Sequence, residues 1–282
     1  MTQPFPRNVV QMVRSTHTIA GMIDIDLQAY EEPALVALYS RSVDLQPPEA
    51  TLFERLRSML GGMDVLDLGV GAGRTSLHYA PVAKSYLGVD YSRAMIEACS
   101  RRMPGVRFLV GDARSMGFAA DSSFDLVLFS YNGVDHLTGA ERAQFLLEAR
   151  RILRPGGFLI FSSHNANFFP SIVANNRFRI GGSLRDTLRS LKWAMIFQLR
   201  NRSLSLRSAL QEGRVVDGTH GFKSAGLYYI RPDLQIDALR ALGMEEIACA
   251  PNTASEFLPP DDAGIRHFTS PWVYYVCRKP HG

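Results

Sequence analysis

Apolar residues along the chain occur either in short continuous runs or at helical spacing. The runs MDVLDL, FDLVLF and GFLIFSS predict buried strands. Between them, Arg93–Met103 and Gly139–Leu153 predict helices. Alternation of strands and helices at this spacing is typical of βαβ units. The pattern therefore predicts an α/β fold with a mostly parallel sheet and helices on both faces.

Local end signals support these elements. Pro47–Leu60 has apolar residues at helical spacing, with prolines where a first turn tolerates them. Thr138 and Glu141 form a Thr-x-x-Glu pattern that predicts a capping box at the start of the helix over 139–153. Arg154-Pro155-Gly156-Gly157 predicts where that helix ends.

The strand and helix pattern stops after His164 and resumes with a helix from Pro232 and the strands MEEIACA and WVYYVCR. We therefore predict a main domain from 47–165 and 226–282, interrupted by a helical insertion over 166–225. Residues 1–46 show no strong strand pattern and are predicted to form an N-terminal arm or lid. Val9–Ile23 is predicted to be a short helix within it.

Charge is concentrated in the insertion. The formal net charge is +4, yet ten basic and three acidic residues lie between Ser171 and Ala225. Leucines and a methionine recur there at helical spacing, beside Arg185, Arg189 and Lys192; the apolar positions are Leu184, Leu188, Leu191, Met195 and Leu199. We predict an amphipathic helix whose apolar face covers a substrate pocket. Candidate lining residues are Phe168, Phe169, Trp193, Phe197, Tyr228 and Tyr229.

Three interpretations of the basic stripe stay open. It can be a solvated helix face, it can attract an acidic acceptor or carrier, or it can contact RNA or an anionic membrane. Arginine interleaved with leucine, without ordered aromatic residues, disfavours nucleic acid.

Composition is that of an ordinary globular protein, with 46% hydrophobic and 21% charged residues. No apolar run approaches the about 20 residues of a membrane span. The first residues lack the apolar stretch of a secretory signal, so a cytoplasmic location is expected. Three separated cysteines form no zinc-type cluster, and no metal is expected.

The best-defined motif follows the first predicted strand. Asp67 lies within that strand, and Gly69, Gly71 and Gly73 follow at alternate positions before a predicted helix from about Arg74. Glycines there let the backbone turn tightly and approach a ligand closely. The spacing is neither the G-x-G-x-x-G fingerprint of dinucleotide binding nor a phosphate-binding P-loop.

Two further acidic residues end neighbouring strands. Asp90 ends the second strand, and Asp112 with Ala113 follows the third. The carboxyl ends of parallel strands line one crevice, where a carboxylate can bind a ribose diol. Acidic strand ends without a phosphate-binding lysine indicate a nucleoside ligand that has no phosphates.

Over about 47–164, these motifs resemble the class I S-adenosylmethionine-dependent methyltransferases. The resemblance implies a Rossmann-like sheet of seven strands with an antiparallel last strand. It also implies S-adenosylmethionine as cofactor, with S-adenosylhomocysteine as product. The glycine loop and Asp67 match the motif at the cofactor's amino acid part, Asp90 matches the ribose-binding residue, and Asp112 with Ala113 matches the adenine-binding pair. Tyr91, next to Asp90, completes the predicted cofactor site together with Ser130 and Tyr131 of FDLVLFSYNGVDHL, a run that resembles the family's fourth motif.

We expect the acceptor to meet the methyl group of the cofactor at the segment that follows the fourth strand. His136 there and His164 after the fifth strand are candidate general bases, and His220 is a weaker third. Asp135 can orient an imidazole or cap a turn. Predicted acceptor contacts are Asn132, Asp135, Tyr228 and Tyr229.

We therefore predict methyl transfer to an oxygen or nitrogen atom of a small molecule, with a carbon atom left open. Absence of N/D-P-P-Y/F after the fourth strand disfavours the amino groups of DNA, glutamine or adenine. An RNA methyltransferase and a non-catalytic cofactor-binding partner or sensor stay as alternatives. A nicotinamide-dependent oxidoreductase is opposed by the glycine spacing. Monomer and homodimer are both open.

Overall fold

The computed structural model describes residues 27–205, 209–218 and 226–281. The helix predicted at Val9–Ile23 and the candidate base His220 lie outside the described residues. Within them, no helix is both long and apolar enough to cross a membrane.

The strands of the described chain belong to one mixed sheet. Their bounds are β1 Asp64–Leu68, β2 Ser85–Asp90, β3 Arg107–Val110, β4 Phe124–Phe129, β5 Leu153–Asn165, β6 Glu212–Val215, β7 Leu227–Ile230, β8 Glu245–Pro251 and β9 Trp272–Arg278. The five strands β3, β2, β1, β4 and β5 lie side by side in that order and run parallel. Strand β9 is antiparallel to both β5 and β8. The predicted mostly parallel sheet with an antiparallel last strand is confirmed.

Two strands in the described chain extend the predicted set of seven. Strand β7 pairs with the end of β5, where His164 lies opposite Tyr229, and β6 pairs antiparallel with β7. The four residues of β6, EGRV, are mostly polar and include a glycine, so they lack the apolar alternation by which a strand is recognised.

Helices pack against the faces of this sheet. Their bounds are α1 Pro33–Ser40, α2 Pro47–Leu60, α3 Ser76–Tyr79, α4 Arg93–Arg102, α5 Gly139–Ile152, α6 Phe169–Asn175, α7 Leu184–Arg200 and α8 Pro232–Ala241. The capping box at the start of α5 is confirmed, because Thr138 and Glu141 each accept the other's backbone N–H. The helix predicted from about Arg74 is α3, which begins at Ser76 and has four residues.

Apolar clusters cover both faces of the sheet. Along β4, Val127 and Phe129 join one buried cluster with helices α5 and α8, whereas Leu126 and Leu128 join another with α2. Successive side chains of a strand point to opposite faces, which explains the alternation. The strands are therefore fixed from both sides, and the loops at their carboxyl ends have a rigid base.

The insertion forms a cluster of its own. Phe169, Phe197 and Tyr229 are buried together with residues of β6 and β7. The apolar stripe of α7 does not belong to this cluster, because Leu184, Leu188, Leu191, Met195 and Leu199 are all exposed. The predicted orientation of this stripe toward a pocket is therefore wrong. The helix is instead attached through its opposite face, at Ala194 and Phe197.

Candidate cofactor and acceptor site

A cavity of about 630 Å³ opens at the carboxyl edge of strands β1 to β4. Its walls are the loops that follow these strands and parts of residues 27–42. Predicted site residues among its lining are Gly69, Gly71, Asp90, Tyr91, Asp112, Ala113, Ser130, Tyr131 and His136. The sheet therefore brings most of the predicted cofactor residues to one cavity.

The glycine loop adopts a backbone that favours glycine. Gly69, Gly71 and Gly73 have φ of +60°, +53° and +87°, the left-handed region that side chains with a Cβ rarely occupy. A Cβ on Gly69 would lie 2.6 Å from the ring of Phe129. Gly69 and Gly71 line the cavity, whereas Gly73 packs against the side chains of Met103 and Cys99.

Asp67 supports this loop from beneath and is buried. Its Oδ2 accepts hydrogen bonds from the hydroxyls of Thr75, at 2.5 Å, and Tyr86, at 2.6 Å. Burial raises the pKa of Asp67 to about 6, and these hydrogen bonds oppose the shift. Its Oδ1 has no hydrogen-bond partner among the described residues. Asp67 is not among the residues that line the cavity.

Asp90 ends β2 and faces the cavity. Its Oδ2 accepts the N–H of Gly71 at 2.8 Å, and its Oδ1 accepts the N–H of Ser92 at 2.9 Å. Burial raises the pKa of Asp90, while these backbone donors lower it. Each carboxylate oxygen has two lone pairs. Asp90 therefore keeps acceptor capacity for hydroxyl groups of a ligand.

Asp112 differs from Asp90 because Arg114 already binds its carboxylate. The Arg114 Nε lies 2.9 Å from both carboxylate oxygens, and the guanidinium also pairs with Glu141 of the α5 capping box. Burial raises the pKa of Asp112, but Arg114 outweighs it and the net shift is downward. Asp112 and Ala113 both line the cavity, and the loop that carries them is fixed to α5.

The rim after β4 has an unusual backbone. Tyr131 and Asn132 have φ of 56° and 63°, and left-handed non-glycine residues cost on the order of 1–3 kcal/mol each. The Arg74 guanidinium lies 4.9 Å from the centre of the Tyr131 ring. The N–H of Asn132 donates to Ser162 Oγ at 2.8 Å. Tyr131 lines the cavity, whereas Asn132, predicted to contact the acceptor, is buried behind it.

His136 lines the cavity at the end of the short 3-10 helix Gly133–His136. Its Nε2 lies 3.0 Å from the hydroxyl of Tyr30, which belongs to a helical turn at residues 27–31. Tyr39 of α1 packs edge-on against Tyr30, with ring centres 5.9 Å apart, and also lines the cavity. Sequence reasoning missed both tyrosines, because they belong to no motif and the arm carries no strong periodicity.

His164 belongs to a different group of residues. Its Nδ1 lies 2.7 Å from Asp135 Oδ2, which also accepts its backbone N–H at 2.6 Å. Asp135 has no exposed surface and also pairs with Arg142 and Ser163. Burial raises the pKa of Asp135, but Arg142 and His164 outweigh it, so the net shift is downward. Neither Asp135 nor His164 lines the cavity, so the two candidate bases are not brought together.

The two tyrosines predicted to contact an acceptor support β6 instead. The hydroxyl of Tyr228 donates to Glu212, and that of Tyr229 donates to Asp217, each at 2.8 Å. Burial raises the pKa of both phenols. Both side chains are buried and neither lines the cavity. Trp193, Phe168, Phe169 and Phe197 of the insertion are also absent from its lining.

Comparison with known proteins matches the segment that carries most of the residues lining this cavity. Residues 65–157 match the family model described as a methyltransferase domain. Demethylmenaquinone methyltransferase of Renibacterium salmoninarum is 36% identical over 35% of this chain and 40% of its own length. Phthiotriol/phenolphthiotriol dimycocerosates methyltransferase 1 of Mycobacterium ulcerans is 35% identical over 50% of this chain and 48% of its own. The chain thus spans half or less of the length of these curated relatives.

Solved structures share the fold over most of the chain. A possible histamine N-methyltransferase from Thermotoga maritima has a TM-score of 0.52 at 18% identity, covering 92% of this chain and 99% of its own. An S-adenosylmethionine-dependent methyltransferase from Mesorhizobium loti has a TM-score of 0.52 at 19% identity, covering 81% and 98%. The segment 65–157 therefore belongs to the methyltransferase-domain family, and the chain shares its fold over most of its length with S-adenosylmethionine-dependent methyltransferases.

Proposed function

We propose that this protein transfers a methyl group from S-adenosylmethionine to an oxygen or nitrogen atom of a small molecule, with a carbon acceptor also open. One observation carries the proposal. The glycine loop, the Asp90 carboxylate and the imidazole of His136 all line the same cavity. Molecules bound in this cavity would therefore contact both the glycine loop and the side chain of His136.

The described residues fit the family's cofactor. Gly69 and Gly71 would let the backbone approach its amino acid part, and Asp90 would accept hydrogen bonds from the ribose hydroxyls. Asp112 and Ala113 would contact the adenine. Asp67 would act from beneath, by fixing the loop through Thr75. When bound, the cofactor supplies an electrophilic methyl carbon.

Positioning is the first requirement, because the acceptor atom must lie close to the methyl carbon and opposite the sulfur. His136 would then accept the proton that an alcohol or amide acceptor loses as its bond to the methyl group forms. Tyr30, whose hydroxyl lies in hydrogen-bond contact with Nε2 of the imidazole, would hold the ring in place. A phenol or amine acceptor needs less help from a base.

An apolar acceptor is supported by two observations. Leu27, Leu38, Val70 and Leu137 line the cavity beside the polar groups. Relatives that share the matched segment are named for demethylmenaquinone and for phthiotriol/phenolphthiotriol dimycocerosates as acceptors. The basic residues of 177–202 give no support to an acidic acceptor, since none of them lines the cavity.

The test is a transfer assay on the full chain with methyl-labelled S-adenosylmethionine. Demethylmenaquinol, a simple phenol and a primary alkylamine serve as probe acceptors, and mass spectrometry detects the methylated product. We expect label in at least one probe, together with S-adenosylhomocysteine. Cofactor binding without transfer to any acceptor class would favour the non-catalytic binding protein. Asp121→Ala, at an exposed ion pair with Arg151, is the matched control for active-site variants.

A further inference from the structure

The outer face of α7 exposes five large apolar side chains in one row. Leu184, Leu188, Leu191, Met195 and Leu199 are between 41% and 76% exposed. Phe178 and Ile180, just before the helix, are exposed too, Ile180 to 85%. Exposed apolar residues scattered singly need no explanation, but a contiguous patch marks an interaction surface. We call the five helical residues and these two the apolar row.

The apolar row is not exposed for want of tertiary contacts made by the helix. Helix α7 is already attached to the protein by the opposite side, where Ala194 and Phe197 are buried. Phe197 belongs to the cluster that also contains Phe169 and Tyr229. The smaller inward face thus makes the tertiary contacts, while the leucines point away from the protein.

Positive charge accompanies the apolar row. Residues 177–202 contain seven basic residues and one acidic residue, a formal charge of +6, so the rest of the chain carries −2 of the total +4. At about 3.6 residues per turn, Lys192 and Arg185 lie directly beside the leucines and Arg189 lies next to them. All three are exposed. The one acidic residue, Asp186, lies at the N-terminal cap of α7, where its backbone N–H donates to Ser183 Oγ and its Oδ2 accepts the Ser183 hydroxyl.

We propose that the outer face of α7 binds an anionic membrane surface. A helix with leucines on one face and flanking Lys and Arg lies in the plane of the lipid interface, where the apolar side chains enter the acyl boundary and the cations meet anionic headgroups. Here the leucines already face outward, so no rearrangement of the protein core is needed for them to enter lipid. Trp193 is partly buried on another side of the helix, with Lys192 Nζ 5.3 Å from the centre of its ring.

Two other occupants fit the row less well. A second copy of the chain related by a two-fold axis would bring two segments of charge +6 together. RNA would require several stacking aromatics among the basic residues, whereas Phe178 is the one aromatic residue of the apolar row and its other six members are leucine, isoleucine and methionine. An anionic bilayer complements both the charge and the apolar surface.

Membrane binding does not depend on the proposed methyl transfer. It needs neither cofactor nor acceptor, so failure of one leaves the other intact. If the acceptor is an apolar molecule dissolved in a bilayer, the same helix would hold the enzyme at the membrane that contains the acceptor.

The experiment is sedimentation of the full chain with sucrose-loaded vesicles, without cofactor. Vesicles of phosphatidylcholine alone are compared with vesicles that also contain phosphatidylglycerol. We expect binding to the anionic vesicles, strongly weakened in high salt because screening removes the headgroup attraction. Binding to phosphatidylcholine should be weaker by at least about tenfold.

Two triple variants separate the apolar and the electrostatic contributions. Leu188→Gln with Leu191→Gln and Met195→Gln removes the centre of the row but leaves the buried Ala194 and Phe197 in place. Its matched control is Val43→Gln with Met59→Gln and Leu147→Gln, at positions that are exposed to 43–44% elsewhere. Arg185→Gln with Arg189→Gln and Lys192→Gln is matched by Arg57→Gln with Lys84→Gln and Arg101→Gln, at side chains that are exposed to 58–69%. Circular dichroism verifies that each variant folds.

We expect both α7 triples to lose at least about tenfold in vesicle binding while both controls bind like the parent protein. Equal binding by the α7 triples and their controls would overturn the proposal. So would absence of vesicle binding combined with self-association that the Leu188, Leu191 and Met195 triple abolishes, since a second copy would then cover the row. Binding of the protein to RNA of unrelated sequence, without binding to anionic vesicles, would also overturn the proposal.

Discussion

The imidazole Nε2 of His136 and the hydroxyl of Tyr30 lie 3.0 Å apart although 106 positions separate them in the chain. This contact joins the N-terminal segment to the loop after β4, directly at the wall of the cavity. A candidate base thus gains a partner from a part of the chain that carries no motif of its own. Substitutions at this pair therefore test the proposed chemistry directly.

His136→Ala is expected to lower kcat by about 10²–10⁴-fold with an alcohol or amide acceptor, since it removes the proton acceptor. The Kd for S-adenosylhomocysteine should change little. Tyr30→Phe should lower kcat less, and the double variant should be no worse than His136→Ala alone, because Tyr30 acts only through the imidazole. Steady-state kinetics and calorimetry measure the two effects. Equal losses in kcat and cofactor affinity would assign His136 a structural role.

Asp90→Ala is expected to weaken binding of S-adenosylhomocysteine by about 1–3 kcal/mol, since ribose hydroxyls would lose their buried acceptor. The N–H groups of Gly71 and Ser92 would also lose their partner, which adds to the loss. Calorimetric titration beside Asp121→Ala measures this. Unchanged affinity would mean that the ribose lies elsewhere.

Asp135→Ala is expected to destabilise the fold by about 3–5 kcal/mol, because it leaves Arg142 as a buried cation without its carboxylate. Asp121→Ala removes one of two carboxylate partners of Arg151, which keeps its ion pair with Glu148, and should cost only about 0–1 kcal/mol. Urea unfolding gives both free energies. Similar small losses in the two variants would show that the Asp135 network does not hold the loop after β4.

The pKa of Asp67 leads to a prediction on pH. In the folded protein this pKa is about 6, above the ordinary 3.8, because of burial. Between these values the folded state binds more protons at this site than the unfolded chain does. The stability that protonated Asp67 contributes is therefore fully present below pH 3.8 and is lost as the pH rises through about 6.

Asp67→Asn removes this titration but keeps the shape of the side chain. Relative to the variant, the parent protein should lose stability as the pH rises across that window. Thermal or urea unfolding of both proteins at several pH values measures the difference in their free energies of unfolding. Asp135, whose pKa is shifted in the opposite direction, is present in both proteins, so its contribution cancels in this difference. A difference that stays constant over the window would contradict the raised pKa of Asp67.

Local signals in the sequence predict most strands of the sheet and many of the residues that line the cavity. Buried parallel strands appear as continuous apolar runs, so β1, β4 and β5 are recognisable. The glycines lie at alternate positions of one short loop, and parallel topology brings the ends of the following strands to the same edge. For this reason the sequence alone predicts that Gly69, Asp90 and Ala113 lie together.

Contacts between distant segments cannot be predicted in this way. Tyr30 and Tyr39 reach the cavity only through packing of the N-terminal segment, which no periodicity indicates. The pattern of α7 shows that the helix has two different faces, but not which of them faces the protein. A few contacts at Ala194 and Phe197 decide its orientation, and the leucines are left outside.

The most direct test of the assigned cofactor is calorimetric titration of the full chain with S-adenosylmethionine and S-adenosylhomocysteine, with NADH as control. We predict that both sulfur nucleosides bind one site per chain, that Asp90→Ala weakens them, and that NADH does not bind. Binding of NADH alone, or of none of the three, would contradict the assignment of the cavity to S-adenosylmethionine.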